Sequence, residues 1–193
     1  MTYYRDQVTQ KSWQILTKLF SKYQFVLIGG WAVWLYSKQL KSKDIDIVVS
    51  LDQLGKLSGD YDLIKNDRLH KYEIRQEEIQ IDVYTPYYSQ LGVPAEDILS
   101  SALNLEGFQV PTPETLLKLK LVAYQGRKGS DRGQKDLVDI ISLLCLELNW
   151  SKVSKEILEL ALGQTEIPEL SLNSHQYSKY KKLWKSYAGQ ISQ

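Results

Sequence analysis

The sequence predicts an α+β fold, in which a small mixed β-sheet flanked by helices is followed by a mainly helical C-terminal half. Between residues 25 and 86, short runs rich in Ile and Val are bounded by glycine, charged or turn residues, as is typical of strands. From about residue 94 onward the apolar residues recur with the period of a helix. We therefore expect a first unit over residues 1–93 and a second, helical unit over residues 94–193.

The first half opens with an amphipathic helix over residues 4–22, because Val8, Trp13, Leu16 and Phe20 recur at spacings of three to five. The run "FVLIGG" is the first strand, and residues 30–37 form a helix behind its glycine pair. "DIDIVVS" is the next strand, followed by a short helix over residues 51–58. "KYEIRQ" and "IQIDVYT" form a hairpin whose turn is the Glu-Glu pair at 77–78.

The second half begins with a helix that has Thr112 as its N-cap and Pro113 at its first position, and that stops near Gly126. "QKDLVDIISLLCLEL" and "WSKVSKEILELAL" predict two more helices, the second capped by Ser151. The terminal stretch "YSKYKKLWKSY" has its aromatic and leucine side chains on one helical stripe, which favours docking onto the body over contact with nucleic acid.

Composition excludes some classes of protein. A net charge of +1 gives no general attraction to nucleic acid or membranes, and neither a signal peptide nor a membrane-spanning run is present, so we expect a cytoplasmic protein. The single cysteine, Cys145, cannot form an internal disulfide and is interpreted as a small buried apolar residue.

Three acids interrupt apolar strands. Asp44 and Asp46 lie two residues apart, so on a strand both side chains share one face while Ile45 and Ile47 face the core. Such close like charges are unfavourable unless a cation lies between them, although an exposed polar edge could also carry this pattern. Asp82 stands in a similar setting in "IQIDVYT". Three such acids on adjacent strands would form a magnesium site.

The glycine pair Gly29 and Gly30 ends a strand and opens a helix. Backbone N–H groups at such a turn can approach a polyphosphate closely, and the helix N-terminus favours its charge. Ordinary turn chemistry is the alternative explanation for the pair.

Taken together, "LIGGWAVWLYSKQLKSKDIDIVV" resembles the signature of the polymerase-β-type nucleotidyltransferase superfamily. The resemblance implies that Gly29 and Gly30 contact the triphosphate of a bound NTP. It also implies that Asp44, Asp46 and Asp82 bind two Mg²⁺ ions, with Asp82 also activating the acceptor hydroxyl. Many members have an arginine or histidine shortly before the paired acids, and here Ser42 or Lys43 would have to take its place.

Within the superfamily, "GGWA" and "VPTPETLLKLKLVAYQGRKGSDRGQKDLVDI" are similar to the AbiEii-like branch of toxin and phage-defence proteins. This resemblance implies that Lys120 and Arg127 face the nucleotide phosphates. The residues alone indicate only a basic cluster, with six basic residues and one acid between positions 118 and 135, and a solvated helix face explains most of it equally well.

The expected activity is magnesium-dependent transfer of an NMP from an NTP to a hydroxyl. The AbiEii-like resemblance suggests RNA such as tRNA, or a protein, as acceptor, and an antitoxin as a partner. A small-molecule antibiotic acceptor is the alternative within the same chemistry, because "GGWA" also resembles antibiotic nucleotidyltransferases. A catalytically silent protein that binds a partner is the alternative from another class.

Overall fold

The computed structural model describes residues 2–149, and their side chains from residue 6 onward. The helices are α1 (Thr2–Lys22), α2 (Gly29–Ser37), α3 (Leu51–Asp60), α4 (Ala95–Ser100), α5 (Pro113–Arg127) and α6 (Asp131–Leu144). The strands are β1 (Val26–Ile28), β2 (Ile45–Val48), β3 (Ile64–Asn66), β4 (Lys71–Gln76), β5 (Ile79–Tyr84), β6 (Leu103–Leu105) and β7 (Phe108–Val110).

The strands form one seven-stranded mixed sheet in the order β3-β4-β5-β2-β1-β7-β6. The pairs β2–β5 and β1–β7 are parallel, and the other neighbours are antiparallel. The predicted fold class, a mixed sheet with flanking helices, is therefore confirmed. Strand β2 lies at the centre of the sheet, between β1 and β5.

The main predicted elements also form. The hairpin β4–β5 turns at Glu77, whose φ of 56° lies in the left-handed region. The hydroxyl oxygen of Thr112 accepts a hydrogen bond from the backbone N–H of Thr115 at 3.3 Å, so Thr112 caps α5 as expected. Ser130 caps α6 in the same way. The start of α5 is therefore as predicted, whereas α6 begins at Asp131 and ends at Leu144, three and four residues before the predicted ends at Gln134 and Leu148.

Residues 103–110 depart from the expectation that the chain is helical beyond residue 94. They form β6 and β7, and β7 extends the sheet by pairing in parallel with β1. Each strand is only three residues long, too short for a periodic pattern, and their turn uses Glu106 and Gly107 at positive φ. The division at residue 93 stays a prediction, although this hairpin joins the sheet of the first half.

The core lies between the sheet and its helices. Ile45, Ile47 and Ile81 are fully buried on the central strands, and Leu16 of α1 is equally buried. Trp31 of α2 is also in the core, where its indole N–H donates to the Ser12 hydroxyl at 2.9 Å. Cys145 was expected to be a buried apolar residue. Its side chain packs against the core at the end of α6 but is only partly buried.

The predicted helix after Ser151 and the aromatic stripe near the C-terminus lie outside the described residues. Within the described helices, none combines the length and the apolar character that a bilayer span requires.

Leu16 tests the packing of α1. We expect Leu16→Ala to lower the free energy of unfolding by about 2–5 kcal/mol, because it leaves a cavity in a fully buried site. Leu51→Ala is the matched control, since Leu51 is 55% exposed and should change stability by less than about 0.5 kcal/mol. Urea denaturation measures both, and equal effects would contradict this packing.

Candidate active site

One cleft collects almost all the residues that the sequence singled out. Of the nine predicted site residues, eight line it and Gly29 lies directly behind it. The lining residues are Gly30, Leu40, Lys41, Ser42, Lys43, Asp44, Asp46, Gln80, Asp82, Lys120, Arg127, Arg132, Lys135, Asp136 and Asp139. The cleft therefore joins residues that are up to about 110 positions apart in the chain.

The pairing of β2 with β5 brings Asp46 and Asp82 side by side. They are register partners on parallel strands, so their side chains point from the same face of the sheet. Asp44 precedes β2 and is exposed at the cleft. Burial, and then the charge of Asp82, raises the pKa of Asp46 to about 7, while Lys120 opposes this shift. The ionised form of Asp46 is therefore unfavourable unless positive charge is added nearby, a setting that favours a cation.

The glycine pair fits closely against these acids. Gly29 has a φ of +67°, and a β-carbon there would overlap the carboxylate of Asp46. A β-carbon at Gly30 would lie 2.9 Å from the hydroxyl oxygen of Ser42. No side chain caps the N-terminus of α2, which begins at Gly29. Glycine is therefore required at 29 by both backbone conformation and space, which goes beyond ordinary turn chemistry.

Asp82 has two partners that sequence reasoning missed. The ammonium of Lys71 lies 2.6 Å from Asp82 Oδ2, and the amide of Gln80 donates to Asp82 Oδ1 at 2.8 Å. Lys71 also forms an ion pair with Glu73 at 3.1 Å. The alternation in "KYEIRQ" and "IQIDVYT" places these residues on one face, but only the strand register shows that they touch.

Lys120 of α5 lies between two acids of α6, Asp136 and Asp139. Its ammonium is 2.7 Å from Asp139 Oδ2 and 3.1 Å from Asp136 Oδ1, with the side chain 13% exposed. Burial lowers the pKa of Lys120, but the charges of Asp139 and Asp136 outweigh it and the pKa is raised. Burial raises the pKa of Asp139 against the opposing charge of Lys120. This ion-pair network joins α5 to α6 at the cleft wall.

The remaining predicted residues occupy the rim. Arg127 is about half exposed and its Nη1 lies 3.3 Å from Asp136 Oδ2. The Ser42 hydroxyl donates to the backbone carbonyl of Asp44 at 2.9 Å, and Lys43 is exposed. Sequence reasoning assigned no role to Lys41, Arg132 or Lys135, which also line the cleft. The excess of basic residues around position 130 was the available signal for the last two.

Asp44 and Asp46 are the residues that would hold a metal ion. Their side-chain oxygens accept no hydrogen bond or ion pair from the residues that the structure describes, and carboxylate oxygens are ligands that Mg²⁺ prefers. Within residues 2–149, no group of three or more His, Cys, Asp and Glu side chains is arranged to hold a metal. The pair fits a hard cation, while the three-acid site stays a prediction.

Comparison with known proteins identifies the fold. No family model and no curated protein matches the sequence. The structure of JHP933 from Helicobacter pylori is 13% identical, with a TM-score of 0.58 and 98% and 93% of the two chains covered. The antibiotic-resistance factor ANT(2'')-Ia is 10% identical in its solution structure, with a TM-score of 0.54 and 97% and 95% covered.

A crystal structure of ANT(2'')-Ia in complex with adenylyl-2''-tobramycin gives 11% identity and a TM-score of 0.52, with 96% of this chain and 98% of that one covered. At these identities the likeness shows the fold alone. A putative nucleotidyltransferase from H. pylori has the same fold, at 14% identity and a TM-score of 0.50 with 95% of both chains covered, so the chain has a nucleotidyltransferase-like fold, while membership of the superfamily stays a prediction. The AbiEii-like branch stays a prediction.

Gly29 tests the contact between the turn and Asp46. We expect Gly29→Ala to lower the free energy of unfolding by more than about 1 kcal/mol, because a β-carbon is strained at positive φ and overlaps Asp46. Gly55→Ala is the control, since Gly55 lies in α3 with no atom within 4 Å of a new β-carbon. It should raise stability by up to about 1 kcal/mol. Chemical denaturation decides, and a neutral Gly29→Ala would contradict the geometry.

Lys120 tests the network between α5 and α6. We expect Lys120→Met to lower the free energy of unfolding by about 3–5 kcal/mol at pH 8, because it leaves the buried Asp139 unpaired and Asp136 with only the half-exposed Arg127 as partner. Without the ammonium, the pKa of Asp139, already raised, rises further above its unfolded value. The loss is then full where Asp139 is ionised and shrinks as the pH falls through this raised pKa.

Urea denaturation of Lys120→Met at pH 8 and pH 5 therefore gives the larger loss at pH 8. Lys18→Met is the control, because Lys18 is an exposed residue of α1 and should change stability by less than about 0.5 kcal/mol at both pH values. An equal loss at the two pH values would show that the network does not depend on charge.

Proposed function

We propose that this chain is a magnesium-dependent nucleotidyltransferase that moves an NMP from an NTP to a hydroxyl acceptor. One observation carries the proposal: Asp46 and Asp82 are register partners at a cleft that also holds Asp44, and the Gly29 turn packs directly on Asp46. Acids and a glycine turn thus converge from separate segments. The fold likeness to a putative nucleotidyltransferase from H. pylori and to ANT(2'')-Ia, solved with adenylyl-2''-tobramycin, supports the same reaction class.

The NTP would bind through its triphosphate. The uncapped N-terminus of α2 at Gly29 and Gly30 offers backbone N–H groups and a favourable dipole. Lys43 and Arg127 are exposed at the rim and supply positive charge there. Lys120 is held more tightly by Asp136 and Asp139, so it contributes its charge from a fixed position in the cleft wall.

In the proposed reaction the acceptor oxygen forms a bond to the α-phosphorus as the bond from that phosphorus to the bridging oxygen breaks and pyrophosphate leaves. Mg²⁺, with two ions expected, neutralises phosphate charge and polarises the phosphoryl group when bound. Asp44 and Asp46 would hold it. Asp82, the third acid, is fixed by Lys71 and Gln80, and its Oδ1 would take up the proton of the hydroxyl.

An RNA such as tRNA is the proposed acceptor, with a protein hydroxyl as the other macromolecular option. Lys41, Lys43, Arg132 and Lys135 are exposed and line the cleft, and none forms an ion pair within the part of the chain that the structure describes. Such a rim attracts an anionic partner. A role in a toxin–antitoxin or defence system, with an antitoxin as partner, is proposed from the sequence resemblance alone.

A small-molecule antibiotic is the second candidate acceptor. It is favoured by the fold likeness to ANT(2'')-Ia, which was solved with adenylyl-2''-tobramycin. The basic rim opposes this candidate if the antibiotic is a polycationic aminoglycoside. A catalytically silent protein is the third candidate, and the presence of all three acids at one cleft counts against it.

The test is transfer of label from each of the four NTPs with Mg²⁺, using total RNA, total protein and tobramycin as separate acceptors. We expect the wild type to label RNA and release pyrophosphate. Asp44→Ala and Asp46→Ala should each reduce the rate about hundredfold or more, because both remove a residue proposed to hold the metal. The measurement is incorporated label together with released pyrophosphate.

Asp52→Ala is the matched control, because Asp52 is an exposed acid on α3 whose partner is Lys56. Its rate should equal that of the wild type, and thermal melting checks that all the variants are folded. Labelling that survives Asp44→Ala and Asp46→Ala would refute the metal assignment. Labelled tobramycin would select the second candidate, and no pyrophosphate with any acceptor would favour the silent one.

A further inference from the structure

A row of acids crosses the sheet beside the cleft. Asp46 on β2 pairs in register with Asp82 on β5, and Asp82 pairs in register with Glu73 on β4. Cross-strand partners have their side chains on one face, so three carboxylates lie side by side on three adjacent strands. The described part of the row contains one buried cation next to Asp82, the ammonium of Lys71.

Lys71 is buried between two acids of this row, Glu73 and Asp82. Its side chain is 5% exposed, and its Nζ lies 2.6 Å from Asp82 Oδ2 and 3.1 Å from Glu73 Oε1. Asn66 on the edge strand β3 donates to the same Glu73 oxygen at 2.8 Å. Although burial raises the pKa of Glu73, the hydrogen bonds from Asn66 and Lys71 outweigh it, and the pKa is lowered. Glu73 therefore stays ionised and holds Lys71 in place.

This arrangement leaves Asp82 poorly placed to ligate a metal ion. Oδ2 is taken by the ammonium, and Oδ1 accepts from the Gln80 amide at 2.8 Å. A Mg²⁺ ion at its usual distance of about 2.1 Å from Oδ2 would lie within about 5 Å of the Lys71 ammonium, and the two cations would repel each other. Asp44 and Asp46 have no such partner among the described residues.

We propose that Lys71 is a positioning residue that keeps Asp82 out of the metal coordination sphere, so that Asp44 and Asp46 are the ligating acids. The inference rests on the metal site of the proposed function and differs from the expectation that all three acids are ligands. In this proposal the Lys71 ammonium occupies the position beside Asp82 where a metal ion would otherwise bind. Asp82 then faces the acceptor with a fixed carboxylate.

The test is a double-mutant cycle on metal affinity, read by calorimetric titration of the purified chain with Mn²⁺ and no nucleotide. Asp46→Asn should weaken binding about tenfold or more, because it removes a ligand, whereas Asp82→Asn should change the affinity by less than about threefold. Lys71→Met should tighten binding about tenfold, because it frees a carboxylate oxygen of Asp82 for the metal.

The double variant Lys71→Met/Asp82→Asn separates ligation from simple charge removal. If the tightening comes from a new Asp82 ligand, Lys71→Met tightens Mn²⁺ binding in the wild-type background but not in the Asp82→Asn background, so the double variant binds Mn²⁺ as Asp82→Asn does. Lys71→Arg should keep the affinity of the wild type, since the cation is retained. Lys65→Met is the matched control, because Lys65 lies exposed on the neighbouring strand β3, and its loss should leave the affinity unchanged.

Three results would overturn the inference: no Mn²⁺ binding by the wild type, a loss with Asp82→Asn as large as with Asp46→Asn, or a tightening that persists in the double variant. Should Lys71→Met fail to fold because Asp82 and Glu73 repel each other, the cycle is run in the Glu73→Gln background. The nucleotidyl transfer assay is independent of this titration, so Mn²⁺ binding with the expected pattern but no transfer would refute the proposed function and leave this inference standing.

Discussion

The parallel pairing of β2 with β5 is the constraint on which the site depends. It brings Asp46 and Asp82 together although they are 36 residues apart in the chain. On both strands the face opposite to these acids carries buried Ile and Val side chains. A slip of one residue in the pairing would therefore expose the core side chains and bury the acids. The same apolar packing that stabilises the sheet therefore holds two acids side by side.

The repulsion between the acids of the cleft must be offset by positive charge, and two lysines supply that charge from different elements. Lys71 enters from β4 and binds Asp82 and Glu73, while Lys120 enters from α5 and binds Asp136 and Asp139. Both lysines are largely buried, which is tolerated because each has two carboxylate partners. Asp44 and Asp46 are left without such a partner among the described residues, and this asymmetry separates the acids suited to a metal from the acid fixed by the protein.

Local signals in the sequence predicted most of the elements. The hairpin at Glu77, the cap at Thr112 and the helix behind Gly29 depend on neighbouring residues, and all of them form. The β6–β7 hairpin was missed, because two strands of three residues carry no periodic signal and are stabilised by pairing with β1. The site residues were predicted from the strand pattern of the acids, the glycine pair and the family resemblance, and eight of the nine line one cleft, while their roles stay predictions.

The sequence alone determined which residue types could form a metal and phosphate site, because the alternation of acids with Ile and Val requires one face for charge and one for the core. Only the tertiary structure decided which partners those acids have. Lys71 is 11 residues from Asp82 and Lys120 is 16 residues from Asp136, and no periodic pattern links residues across different strands and helices. Strand register and helix packing set these contacts, since a charge in a buried cleft is governed by whatever lies within a few ångströms of it, whatever its place in the chain.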